Sequence, residues 1–283
     1  MMTSDYYIFT GERVPDHITH VLIAKALNFV RARAFHDHPN IQEVICHDGV
    51  EKIEKFAFNR CPRLLRVIMP GVKEIEAYAF CSCGTLSYLE WGKLEIIGEV
   101  AFQWCKSLSS IDLPSIKTIE RYALSSCSSL TNAKFGKELE SIGVTAFYNC
   151  TSLQRITLPL KDGMLTYDNI FKECEKLDRV DLVEGVHETV SALLLEEWKN
   201  DMNEEIHAIN RILVTRTVDG GKAQAIRTWI RSVLSKIIHY KAEHRRCLNV
   251  AAAALQSSLP NDILFKSIFP FIELPSHTFE GES

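Results

Sequence analysis

Nine cysteines and ten histidines are the side chains of this 283-residue chain best equipped for metal binding or nucleophilic chemistry. A zinc site needs convergent ligands, usually supplied as close pairs. Cys81-x-Cys83 has no second pair, His36 and His38 flank one copy of a repeated phrase, and His239 and His244 stand five apart. Four, not five, is the spacing that places two side chains on one helical face. Asp219-Gly220-Gly221-Lys222 lies ahead of a helical stretch and resembles a phosphate loop. It lacks the Gly-x-x-x-x-Gly-Lys-Ser/Thr frame and reads as a hinge. No Gly-x-Ser-x-Gly occurs, and no motif positions a pair of carboxylates. The residue types and spacings predict no catalytic residue, no metal and no cofactor.

The cysteines mark something else. Cys61, Cys83, Cys105, Cys127, Cys150 and Cys174 are separated by 22, 22, 22, 23 and 24 residues, and each sits in the phrase Ala-Phe-x-x-Cys-x-x-Leu. Ala57-Phe58, Ala79-Phe80, Ala101-Phe102 and Ala146-Phe147 keep it; Ala123-Leu124 and Ile170-Phe171 wear it down. Ala34-Phe35-x-x-His38-x-x-Ile41 is an earlier copy with histidine in the cysteine slot. After each Leu position comes an apolar-x-apolar pair, from Val21 and Ile23 through Val67 and Met69 to Val180 and Leu182, making eight short strand-like segments.

A unit this short cannot bury its own apolar face, so it coils once and stacks on its neighbours. A period of 22 to 24 residues falls in the leucine-rich range of about 20–29. Alternation in each strand sends one set of side chains inward and the other to the open face of a parallel sheet. Within Ala-Phe-x-x-Cys, the small Ala lets coils approach, Phe fills the interior, and Cys behaves as a small buried hydrophobe. A Cys105→Ser change is expected to cost about 1–3 kcal/mol, as a buried hydroxyl with no partner.

These phrases resemble the BspA-like leucine-rich repeats, whose units run Leu-x-x-Ile-x-Leu-Pro, then Ile-Gly, then Ala-Phe-x-x-Cys. Met69-Pro70, Leu113-Pro114 and Leu158-Pro159 match the proline, and Ile97-Gly98 and Ile142-Gly143 match the later pair. The likeness covers about residues 18–185, and the repeats together with the tail resemble diatom members of the family. It implies a non-enzymatic recognition scaffold and carries over no catalytic residue. The substitutions His38, Leu124 and Ile170 predict irregular first and last coils.

Composition frames this reading. Hydrophobic residues make up 46% of the chain and charged ones 24%, as in a folded globular protein. A net charge of −4 argues against a chain built mainly to grip nucleic acid. The longest uncharged apolar run there, Val250 to Leu255, is far short of a membrane span. Met1 to Tyr7 has no basic flank before an apolar core, so no signal peptide is expected. The predicted location is cytoplasmic, with the nucleus left open, and the thiols are expected to stay reduced there.

After Leu182 the period changes. Val190, Leu194, Trp198, Met202, Ile206, Ile209 and Leu213 step by threes and fours, and Ile226, Ile230, Val233, Ile237, Leu248, Ala251 and Leu255 form a second apolar stripe. The first helix is acidic (Glu196, Glu197, Asp201, Glu204, Glu205) and the second basic (Arg227, Arg231, Lys236, Lys241, Arg245, Arg246). Opposite charge favours an antiparallel hairpin, and an open solenoid end needs a cap. The organisation predicted is an N-terminal cap over 1–17, a solenoid over 18–185, a helical hairpin cap over 186–258, and a tail with a short helix over 259–283. The fold class is α+β: a leucine-rich repeat solenoid of short parallel strands, about eight coils, with a C-terminal α-helical hairpin.

The expected site is the open sheet face, binding a protein partner. Its outward residues include Leu22, Ile45, Arg66, Ile68, Tyr88, Glu90, Asp112, Lys134, Arg155 and Arg179. Leu22, Ile45 and Ile68 form an apolar stripe with Tyr88 beside it, unless Tyr6-Tyr7-Ile8-Phe9 folds back over it. The chain is expected to be a monomer, with a homodimer through this stripe left open. Two other readings compete. The basic helix would bind an anion, nucleic acid or an acidic membrane surface. Alternatively, Leu259-Pro260-Asn261-Asp262-Ile263-Leu264 opens an F-box-like adaptor segment of the ubiquitin-ligase type.

Overall fold

The computed structural model describes residues 6–183, 196–215 and 221–256. The main parallel ladder starts with β1 (Tyr7–Phe9) and β2 (His20–Ile23). The narrower ladder on another side of the coil consists of β3 (Phe29–Val30), β5 (Lys52–Ile53), β7 (Glu74–Ile75), β9 (Ile96–Ile97), β11 (Thr118–Ile119) and β13 (Ser141–Ile142). The main ladder continues with β4 (Glu43–Ile45), β6 (Arg66–Met69), β8 (Tyr88–Trp91), β10 (Ser110–Leu113), β12 (Asn132–Phe135), β14 (Arg155–Leu158) and β15 (Arg179–Leu182). From β2 to β15 these are the eight strands expected, and they bound about seven turns of a parallel β-solenoid. Pairing is in step: Arg66 opposes Tyr88 and Ile68 opposes Glu90, so equivalent repeat positions stack in columns.

The third side of each coil is the Ala-Phe-x-x-Cys turn. The residues before Ala and before Cys adopt left-handed backbone, as at Phe56 (φ 60), Arg60 (φ 57), Val100 (φ 61) and Trp104 (φ 62). For β-branched Val100 this conformation is strained. The return is a third ladder along the solenoid: the Phe58 N–H reaches the Ala79 carbonyl at 2.7 Å, and Phe102 reaches Ala123 at 2.7 Å. Phe35, Phe58, Phe80 and Phe102 form a buried stack with ring centroids 4.8, 4.9 and 5.1 Å apart. Leu124 interrupts it, and Phe147 and Phe171 resume it more loosely at 5.6 Å. Gly98 and Gly143 admit no Cβ, because one would lie 2.8 and 2.6 Å from the backbone of the preceding coil.

The cysteine column is a set of hydrogen-bond donors, which corrects its reading as a purely apolar filler. Cys83 Sγ donates to the Phe58 carbonyl (3.0 Å), Cys105 to Phe80 (3.2 Å) and Cys127 to Phe102 (3.2 Å), each across one coil boundary. Cys61, Cys150 and Cys174 make the same bond. A serine at Cys105 would therefore have a waiting acceptor, contrary to the expectation above. In the earliest copy His38 Nε2 meets the Pro15 carbonyl at 3.1 Å, so histidine replaces the thiol function as well as the position. That coil keeps both of its strands and is not irregular. Burial pushes the Cys127 and Cys46 thiols up to about 12 and moves Cys83, Cys105 and Cys150 in the same direction.

Helices α1 (Glu196–Thr215) and α2 (Gly221–Gln256) follow. Glu205 lies near Trp229, and Asp201 near Lys236 and Tyr240, so the two run antiparallel as expected. They close the last coil. Asn210 Oδ1 accepts the Val180 N–H at 2.8 Å. Lys222 is buried, and its ammonium donates to the carbonyls of Cys174, Glu175 and Leu177 at 2.9, 2.9 and 2.6 Å. Desolvation lowers its pKa, because burial penalises the charged amine. The stretch read as a hinge thus contributes the solenoid's end plug. Ile209, Leu213, Ile226, Trp229, Ile230, Val233 and Ile237 extend the core over that end. Val190, Leu194 and the 259–283 tail lie outside the described residues, as does the break at 216–220.

Candidate functional site

Cross-strand registration builds the open face. Ile8, Leu22, Ile45 and Ile68 are successive partners, which makes the apolar stripe one strand longer than the sequence reading had it. Leu22, Ile45 and Ile68 are half-buried against one another, and Ile8 at the edge is 60% exposed. Tyr6 to Phe9 does not fold over the stripe. β1 joins the sheet edge beside β2, with Phe9 in the core and tilted against Phe35 at 4.8 Å. The Tyr-x-Phe alternation of residues 7 to 9 was the signal for this strand, and its shortness concealed it.

Beside the stripe runs a column of polar and aromatic groups that bind one another. Tyr6 packs edge-on to His20 with centroids 5.5 Å apart and donates to Glu43 at 2.5 Å. Glu43 pairs with Arg66 at 3.3 Å, and the Arg66 guanidinium lies over the Tyr88 ring at 4.6 Å. Tyr88 in turn donates to Glu90 at 3.1 Å. Arg66, Tyr88 and Glu90 are all exposed, yet they are pre-positioned by this chain of contacts. Such ordering lowers the entropy a partner must offset when it docks.

The face is not one continuous sheet, which corrects the coil-by-coil expectation. β1-β2-β4-β6-β8 form one block and β10-β12-β14-β15 another. In an intact coil the Cys46 amide donates to the Ile68 carbonyl of the next strand. At the equivalent place the Trp91 indole Nε1 takes the Asp112 carbonyl, at 2.7 Å. The indole packs edge-on to Phe102 with centroids 6.1 Å apart and stays half-buried, as does Leu89, although both occupy inward slots. A side chain too large for its slot therefore sits across the seam in place of a main-chain bond. The narrow ladder is unbroken there, since β9 pairs with β11.

The second block is charged. Asp112 pairs with Lys134 at 3.3 Å and Arg155 with Asp181 at 3.1 Å. Where this block meets α1, Asn132, Gln154, Arg155, Asp178, Arg179, Asn210, Arg211 and Val214 line a cleft of about 520 Å³. Arg155 and Arg179 were on the predicted face; Gln154, just ahead of β14, was not, nor were Asn210 and Arg211, which only the docking of α1 brings there.

The basic helix offers less than its sequence suggests. Arg227 pairs with Asp168, Arg231 with Asp162 at 2.9 Å, and Lys236 with Glu205 and Asp201 at 2.8 and 3.1 Å. Hydrogen bonding to Glu205, then Asp201, holds Lys236 above the ordinary lysine value. Arg246 pairs with Glu243 at 2.9 Å. Among the described residues no group of His, Cys, Asp or Glu is placed to hold a metal ion. Nor, among them, is any helix long and apolar enough to cross a membrane.

Comparison with known proteins agrees with this architecture. Residues 14–93 and 95–194 match the BspA type leucine rich repeat region, in 6 copies. Among curated proteins none matches the chain. A leucine-rich repeat protein from Bacteroides ovatus shares 24% identity with a TM-score of 0.51, over 59% of this chain and 43% of that one. A leucine rich repeat protein of T. pallidum shares 22% identity with a TM-score of 0.37, over 62% of this chain and 67% of that one. The chain spans less than half the length of the B. ovatus protein, and at this identity the likeness speaks for the fold alone. The matched segments take in more than half of the sequence, with the cysteine-marked turns in register throughout, and the chain belongs to the BspA-type leucine-rich repeat family.

Proposed function

We propose that the chain is a non-catalytic scaffold that binds a protein partner on its open sheet face. The observation that carries this is the column Ile8-Leu22-Ile45-Ile68, an apolar stripe bordered by the ordered Glu43-Arg66-Tyr88-Glu90 chain. A contiguous apolar patch edged by charge suits a protein interface, and Tyr and Arg are frequent anchors there. Leu22, Ile45, Ile68, Arg66, Tyr88 and Glu90 form its first half, and Asp112, Lys134, Arg155 and Arg179 its second. The same reading keeps the chain in the cytoplasm. Its repeat cysteines serve the fold as S–H donors, a role that needs them reduced. It also leaves a monomer, with the stripe reserved for the partner.

Anion binding through α2 is the weaker reading, because Arg227, Arg231, Lys236 and Arg246 are already paired within the chain. The F-box-like reading rests on residues 259–272, outside the described residues. The test uses Ile68→Asp and Tyr88→Ala. Both are expected to lose a partner identified by co-purification with the wild type, while melting within a few degrees of it. Capture that persists in both variants would remove the sheet face from the function.

A further inference from the structure

Most charge on the open face is spent internally, and the cleft at the α1 junction is the exception. Arg155 is held by Asp181. Arg179 and Arg211 line the same cleft with no ion-pair partner among the described residues. Asp178 supplies one carboxylate to the wall, and its field also acts on the buried Lys222. With Arg155 balanced by Asp181 outside the lining, Arg179 and Arg211 against Asp178 leave a surplus of about one positive charge, on a chain whose net charge is −4. Asn210 spends its carbonyl oxygen on the Val180 N–H, so its side-chain N–H groups remain to donate, beside the Gln154 amide.

We propose that this cleft receives the carboxylate of an Asp or Glu side chain from an extended segment of the partner lying along the sheet face. The inference rests on the reading of that face as a protein-binding surface and names the chemistry of one end of it. Two guanidiniums with no ion-pair partner among the described residues offer planar paired donors, the geometry a carboxylate matches. The Asp178 wall sets the charge. One carboxylate balances the surplus, whereas the repeated charges of a nucleic-acid backbone would exceed it.

The test uses the full chain and a fluorescein-labelled peptide of alternating Glu and Ser, followed by fluorescence anisotropy at low salt. Its counterpart carries Gln in place of every Glu. The wild type should bind the Glu peptide and not the Gln peptide. The double variant Arg179→Gln, Arg211→Gln should weaken binding by about tenfold or more with an unchanged melting temperature. Arg245→Gln, an exposed change on α2, should have no effect. Equal binding by wild type and double variant would overturn the proposal. So would absence of binding by the wild type, loss of binding in Arg245→Gln, or displacement by inorganic phosphate at matched ionic strength no weaker than by unlabelled Glu peptide. Failure here leaves the sheet-face reading intact if Ile68→Asp still abolishes partner capture. Failure of both sets of variants would remove the two together.

Discussion

The two blocks of the main sheet are made from the same repeat and present opposite surfaces. On the first, the outward column reads Ile8, Leu22, Ile45, Ile68 and then Glu90; on the second it reads Asp112, Lys134, Thr157, Asp181. The inward columns differ far less, with Val21, Val44 and Val67 answered by Ile111, Ala133 and Ile156. Core positions are constrained by neighbours on both sides of every coil, so their chemistry varies little. Outward positions are constrained only by the partner across the strand, and there the chain has room to change from apolar to charged. The change begins at Glu90 on β8, the strand that borders the seam where Trp91 replaces a main-chain bond.

The ends differ too, and the largest effect is expected there. The first block ends in an added strand, β1, while the second ends against Lys222 and Asn210. Replacing Lys222 with Met keeps the aliphatic volume and takes the ammonium donor from the Glu175 and Leu177 carbonyls, while the Cys174 carbonyl keeps the Leu177 N–H. Each unsatisfied buried group costs about 1–3 kcal/mol, so a total loss of about 2–5 kcal/mol in denaturant unfolding is expected. A change under about 1 kcal/mol would show that the plug contributes little and that apolar packing of α1 and α2 closes the end.

A middle-sized effect is expected from the thiols that run beneath both blocks. Cys105→Ala removes the donor to Phe80 and opens a small void, for a cost of about 2 kcal/mol. Cys105→Ser should cost less than Cys105→Ala, since its hydroxyl meets the same acceptor. The reverse order would return the column to simple hydrophobic packing. The pH dependence has a definite sign. Folding raises Cys46 and Cys127 from 9.0 to about 12, so the unfolded chain loses those protons first. Their contribution is complete below pH 9 and declines as pH rises toward 12, at about 1.4 kcal/mol per unit for each thiol. A stability flat from pH 8 to 11 would contradict the burial of the column.

The smallest effect is the most informative about the seam. Trp91→Leu restores a side chain that fits the inward slot and should let the Trp91-position amide reach the Asp112 carbonyl. Net stability should move by less than about 1.5 kcal/mol, because a gained backbone bond offsets lost indole area. Amide exchange at residue 91 should slow markedly. If exchange is unchanged, something other than the size of Trp91 separates the blocks.

Much of this architecture was legible in the sequence. The 22-to-24-residue recurrence of Cys and the alternation after each Leu placed the eight strands of the main ladder after β1 and the buried column, because a period that short permits only stacked coils. They did not place the narrow ladder of β3, β5, β7, β9, β11 and β13. The family phrase marked Gly98 and Gly143, where close coil approach excludes a Cβ. The outward residues followed from alternation alone. What the sequence could not show were events that depend on which groups meet across long separations. The thiol's acceptor is about 25 residues away, Lys222 finds carbonyls 45 to 48 residues back, and Asn210 caps a strand 30 residues before it. Likewise Arg211 joins Arg155 and Arg179 only because α1 docks on the strand ends. Periodicity determines the repeating coil because each residue sees the same neighbours in every turn. At the ends and at the seam that repetition stops, and there only tertiary packing decides which donor meets which acceptor.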